Sequence, residues 1–202
     1  MLQYLQGKGQ KLATSKGFVP HHRRSIRFAD YDYSSEGGYF ITIIAHKRKC
    51  LFGKIVEDET VLNDYGKIIL REWYRTGKIR PNIELIDDEF VVMPNHIHGI
   101  IWITDFSGRG SLQRTPTIEQ FQKPVSNSIP TIIRLFKATT TKQINLLKNT
   151  PGEPVWQRNY YEHIIRSERD YEEIANYISC NPAGWKYDAE FLPREIIHTL
   201  KP

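Results

Sequence analysis

The chain has 202 residues, with 28 Lys and Arg against 23 Asp and Glu and a net charge of +5. That is enough chain for one domain with a sizeable core, and the moderate basic excess fits an anionic partner without requiring one. Two cysteines exclude a disulfide framework, no run is long and apolar enough for a membrane span, and a soluble protein of the reducing cytoplasm is expected.

Residues 1–30 are polar and basic, with HHRRSIR at 21–27 and no signal-peptide apolar core. They read either as a disordered tail or as a basic arm that follows phosphates through Arg23, Arg24 and Arg27. YFITIIAHK (39–47) is the first convincing strand, and LFGKIV (51–56) either pairs with it or opens a short hairpin. Asn63 can cap a helix running to about Thr76, with Leu70, Trp73 and Tyr74 forming part of an apolar stripe and Gly77 ending it. NIELIDDEFVVM, from residue 82, leads to a turn at Pro94-Asn95, after which IHGIIWI returns as its antiparallel partner. Residues 105–127 are rich in Gly, Ser, Gln and Pro and read as a loop insertion.

Ser128 can cap a second helix to about Leu147, with Ile129, Ile133, Phe136, Ile144 and Leu147 on one stripe. Arg134, Lys137 and Lys142 fall elsewhere on its surface. After a PGEP turn, VWQRNYYEHIIR (155–166) looks extended, and Ser167 starts a third helix that Asn181-Pro182 stops. The order strand, helix, hairpin, helix and terminal unit predicts an α+β sandwich with an antiparallel sheet, ferredoxin-like in outline. One domain over 31–186 then lies between the basic arm, 1–30, and a tail, 187–202.

The residues with the most chemistry sit in FVVMPNHIHGIIWI (90–103). On a strand, residues i and i+2 share a face, so His96 and His98 project side by side while Ile97 points into the core. Two neutral imidazoles are a ready ligand pair for a divalent metal; the structural alternative is a pair of core histidines satisfied by hydrogen bonds. The third helix offers a complement. Tyr177 and Asn181 are i and i+4, hence one turn apart on one face. Asn181 can offer a carbonyl oxygen to a hard metal and Tyr177 a phenol beside it, or Tyr177 packs and Asn181 caps the helix. Tyr171, six residues earlier, is turned by roughly 120° and cannot share that face. Glu162 and His163 are either proton acceptors for Tyr177 or a structural pair in the sheet.

These segments resemble a known family. VVMPNHIHGII (91–101), VWQRNYYEHIIRSERDYEEIANYISCNPAGW (155–185) and, more weakly, YDYSSEGGYFITI (31–43) are similar to signatures of the REP-associated tyrosine transposases. Those enzymes belong to the single-tyrosine HUH superfamily, together with the insertion-sequence-200-type transposases. His96-Ile97-His98 matches the His-hydrophobe-His motif, and Tyr177 followed by Asn181-Pro182 matches the family's Tyr-x-x-x-Asn-Pro. The long leader and the 105–127 insertion differ from minimal members.

The resemblance implies a ferredoxin-like fold, a bacterial cytoplasmic setting and metal-dependent cleavage of single-stranded DNA. Tyr177 would be the nucleophile, and His96, His98 and Asn181 the ligands of Mg²⁺ or Mn²⁺. The product would be a 5′-phosphotyrosine with a free 3′-hydroxyl, and a second 3′-hydroxyl could then rejoin the strand. Substrates would be imperfect palindromes that fold into hairpins, as in repeated extragenic sequences. Arg23, Arg24, Arg27, Arg134, Lys137, Lys142 and Arg158 are candidates for phosphate contacts. A monomer is expected over a homodimer. The rival readings are a non-catalytic DNA-binding protein derived from a transposase, and a His-x-His metallohydrolase acting on a small phosphoester.

Overall fold

The computed structural model describes residues 31–104 and 125–187; the arm 1–30, most of the 105–127 segment and the tail beyond 187 lie outside them. β1 (Gly37–Ile44) is rich in aromatic and β-branched residues and buried along almost its whole length. LFGKIV forms β2 (Gly53–Val56), which pairs with β3 (Glu59–Leu62) in a separate two-stranded sheet and does not join β1. The two residues between them, Glu57 and Asp58, both have positive φ, at 49° and 62°. That is the twist a two-residue hairpin requires.

Asn63 caps α1 (Asp64–Lys78), its side-chain oxygen accepting from the backbone N–H groups of Tyr65 and Gly66. The helix runs past Thr76 and carries Gly77 inside its last turn. Its buried stripe is Ile68, Ile69 and Trp73, whereas Leu70 faces outward. NIELIDDEFVVM is not one strand. It divides into β4 (Ile83–Glu84) and β5 (Phe90–Val92), separated by a turn through the acidic Asp87–Glu89. Both pieces pair with β6 (His96–Ile103), so the expected hairpin across Pro94-Asn95 forms with a broken edge strand.

α2 (Ile129–Lys148) starts at a Ser128 cap and buries Ile129, Ile132, Ile133, Phe136 and Ile144, while Leu147 is exposed. Thr140 completes the buried stripe: its hydroxyl donates to the Phe136 carbonyl and accepts from the Trp156 indole N–H. β7 (Tyr161–Ile165) and α3 (Glu168–Cys180), capped by Ser167, end the described fold.

The main sheet runs β4/β5–β6–β1–β7, every neighbouring pair antiparallel. With α1 between β1 and β4, and α2 between β6 and β7, this is the split β-α-β order of a ferredoxin-like sandwich. Its two faces bury different things. Tyr39, Ile41, Ile43, Ile97, Ile101 and Ile164 pack against α1 and α2. Gly99 shares that face, and a Cβ there would lie 2.6 Å from the Trp73 ring, so glycine lets α1 approach the sheet. The opposite face carries Phe40 and Ile100, which meet Ile178, Ile174 and Tyr171 of α3. The alternation that sends Ile97 into the larger core therefore sends His96 and His98 to the α3 side. Among the described residues no helix is long and apolar enough to cross a membrane.

Candidate active site

The histidines open the central strand β6 where it faces the end of β1: Ile44 is the partner of His96, and Thr42 that of His98. Their ring centroids are 4.4 Å apart, and both side chains are buried. Asn95, just outside the strand, orients His96. Its Nδ2 donates to the Arg48 carbonyl at 3.3 Å, which turns its Oδ1 toward His96 Nδ1 at 2.7 Å. An amide oxygen only accepts, so Nδ1 of His96 carries the proton and Nε2 carries the lone pair.

His98 lies between Thr42 Oγ1, 2.8 Å from Nδ1, and the Tyr177 hydroxyl, 3.2 Å from Nε2. Burial, followed by the neighbouring His96, holds the His98 ring well below the ordinary histidine range. A neutral ring carries one N–H, so when Nδ1 donates to Thr42, Nε2 accepts from Tyr177. Phe40 stacks beneath His98 at 5.5 Å and meets the Tyr177 ring edge-on at 6.1 Å. Tyr177 itself is 46% exposed.

α3 and the turn after it span both imidazoles. Tyr177 lies on His98, and Trp185, eight residues later, stacks on His96 at 6.0 Å. Between them Asn181 caps α3 and is buried, with 5% exposure. Among the described residues no three His, Cys, Asp or Glu side chains gather as a metal cluster. The two imidazoles lie together, and Asn181 follows Tyr177 by one helical turn at the end of α3.

Other candidates stand elsewhere. Glu162 pairs with Ile41 and shares its face, so its carboxylate is on the α1/α2 side of the sheet, away from Tyr177. The His163 ring is on the α3 side, but its Nε2 donates to both Asp170 carboxylate oxygens, at 3.0 and 2.9 Å. It latches the first turn of α3, and this bond holds the Asp170 carboxyl below its ordinary range. Of the two readings of this pair, the contacts support the structural one: Glu162 lies on the other face, and Asp170 engages His163. Tyr171 packs on Trp102 at 5.7 Å, and a hydrogen bond to buried Glu89 raises its phenol above the usual value.

Of the expected phosphate contacts, Arg23, Arg24 and Arg27 lie outside the described residues. Arg134 and Lys142 are exposed on α2, on the layer opposite the histidines, and Arg158 is exposed in the segment before β7. Lys137 is engaged within the fold. Its ammonium donates to three successive carbonyls, of Gln157, Arg158 and Asn159, at 2.6, 3.0 and 3.4 Å. Burial pushes it down to about 8, while the carbonyls favour its charged form. Lys137→Met is expected to destabilise the fold by about 1–3 kcal/mol, because the carbonyls lose a charged donor. Chemical denaturation measures this. Phe40, Thr42, Asn95 and Trp185 carry no signal of their own at sequence level; only Asn95, beside the His-x-His motif, could have been suspected.

No protein-family model matches the chain. A Haemophilus influenzae protein described as uncharacterized is 45% identical over 170 residues, covering 83% of this chain and 92% of that protein. A second protein of that species, named "Putative REP-associated tyrosine transposase", is 23% identical over 156 residues, covering 77% of this chain and 76% of that one. Among solved structures, a REP-associated tyrosine transposase bound to a REP hairpin matches with a TM-score of 0.50 and 20% identity, over 83% of each chain. The chain belongs to one family with the 45%-identical Haemophilus influenzae protein, and it shares the fold of the REP-associated tyrosine transposases its motifs resemble.

Proposed function

We propose that this protein is a divalent-metal-dependent endonuclease and strand transferase acting on single-stranded DNA beside a hairpin. The observation that carries the reading is the hydroxyl of half-exposed Tyr177, 3.2 Å from Nε2 of a neutral, buried His98. A nucleophile for a polymer must be accessible, and its surroundings must be rigid; this tyrosine has both properties. The hairpin bound to the REP-associated transposase of the same fold supports the choice of substrate.

His96 and His98 through Nε2, with the Asn181 amide oxygen, would hold Mg²⁺ or Mn²⁺, the ion taking the His98 lone pair that otherwise accepts from the Tyr177 hydroxyl. The buried rings, each with Nδ1 facing a side-chain oxygen, fit that role. When bound, such an ion neutralises charge on the phosphate oxygens. Phe40 and His98 fix the Tyr177 ring so that its oxygen lies beside the His98 Nε2. That oxygen forms a bond to phosphorus as the bond from phosphorus to the 3′ oxygen breaks. The proton lost by the phenol is balanced by the one the 3′ oxygen takes up. Attack by a second 3′-hydroxyl reverses these changes and releases Tyr177.

Incubation with labelled hairpin oligonucleotides carrying unpaired flanks, with Mg²⁺ or Mn²⁺, is expected to give a covalent protein–DNA adduct on a denaturing gel, and chelation to prevent it. If a broad oligonucleotide library binds but yields no adduct, the protein is a DNA-binding derivative of a transposase.

A further inference from the structure

β1 leaves the sheet beside His96 and runs directly into His46-Lys47-Arg48-Lys49, four basic side chains in succession. Lys47 lies three residues beyond Ile44, the partner of His96, so its backbone is at most about 11 Å from that pair. Lys47 and Lys49 are exposed. Glu153, which feels the charge of Lys49, is held by Lys148 at 2.9 Å.

The turn has an unusual backbone. Lys47 and Arg48 are both left-handed, at φ 56° and 54°, although neither is glycine. Such a backbone is strained for a residue with a Cβ, so the surroundings must hold the shape. They do so from both sides. His46 N–H donates to the Val155 carbonyl at 2.7 Å, and Ala45 N–H donates to the Asn95 carbonyl at 2.7 Å. The Asn95 side chain, 1% exposed, donates to the Arg48 carbonyl and accepts from His96 Nδ1. One buried amide thus joins the basic turn to the ring of a proposed metal ligand.

We infer that the His46–Lys49 turn is a seat for the phosphate backbone of single-stranded DNA, and that Asn95 is a positioning residue locking this seat to His96. The inference rests on the nucleic-acid reading of the site. A strained, internally braced turn presents its cations in one arrangement, which lowers the entropic cost of gripping a flexible strand. The strand would then approach the Tyr177 oxygen in a register set by the protein backbone.

The test is fluorescence anisotropy of a labelled single-stranded oligothymidylate over a salt series, in which cleavage plays no part. Lys47→Ala/Lys49→Ala is expected to weaken binding and to flatten the plot of log affinity against log salt by about 1.4, for two lost phosphate contacts. Lys67→Ala, on α1 of the opposite layer, is expected to leave the slope unchanged. Asn95→Ala is expected to weaken binding alone but to add nothing to the double lysine variant; a merely structural role would give additive losses. An unchanged slope in the double lysine variant overturns the seat, as does wild-type protein that fails to bind. Additive losses overturn the role of Asn95. If binding follows these expectations but no hairpin yields an adduct, the cleavage reading fails and the seat stands.

Discussion

Tyr177→Phe is expected to abolish the covalent protein–DNA adduct while preserving the fold and hairpin binding. The change removes one oxygen. The ring contacts to Phe40 and His98, at 6.1 and 5.0 Å, do not involve that atom and remain. The lost hydrogen bond to His98 Nε2 costs about 0.5–1.5 kcal/mol, within the margin of a folded domain. Loss of a nucleophile is a far larger effect, on the order of 10⁴-fold or more in rate. The comparison tyrosines sharpen the result. Tyr171 is committed to Trp102 and Glu89. Tyr161 is exposed and touches Phe40 edge-on at 6.3 Å, but it pairs with Thr42, which places β1 between it and His98. Tyr171→Phe and Tyr161→Phe are therefore expected to keep forming the adduct. An adduct that persists in Tyr177→Phe and vanishes in either of these would reassign the nucleophile.

The second large effect is expected from His96→Ala/His98→Ala. This variant should lose both Mn²⁺ binding, measured by calorimetry, and the adduct, while hairpin affinity stays within a few-fold because phosphate contacts dominate it. Full-rate cleavage by the double variant would show that the metal site is misplaced. The same histidines predict a pH dependence. The folded His98 value is lowered, so between it and the unfolded value near 6.5 the unfolded chain binds more protons. Stability from this group is thus complete above about pH 6.5 and declines as the pH falls toward the folded value. Thermal unfolding across pH 4–8 is expected to follow this slope in the wild type and to lose part of it in His98→Ala.

Short-range signals in the sequence carried much of this molecule. Asn63, Ser128 and Ser167 each supply a side-chain oxygen to the first turn of a helix, a contact spanning only two or three residues. The i, i+2 relation of His96 and His98 and the i, i+4 relation of Tyr177 and Asn181 follow from strand and helix periods alone. What lies opposite each group depended on the packing of distant segments. Acidic residues 87–89 break the edge strand because they turn back toward α3, which an apolar run cannot reveal. Strand alternation puts adjacent Glu162 and His163 on opposite faces, but which of them faces α3 is set by a register with β1 that no local pattern specifies. Lys137 reads as a surface cation until the segment before β7 brings three carbonyls to it. The His98 environment is assembled from Thr42, 56 residues away, and Tyr177, 79 residues away. The sequence by itself determined which side chains share a face of one element, because backbone geometry repeats locally. Only the tertiary structure decided which faces meet, because that depends on strand order and on where each helix buries its apolar stripe.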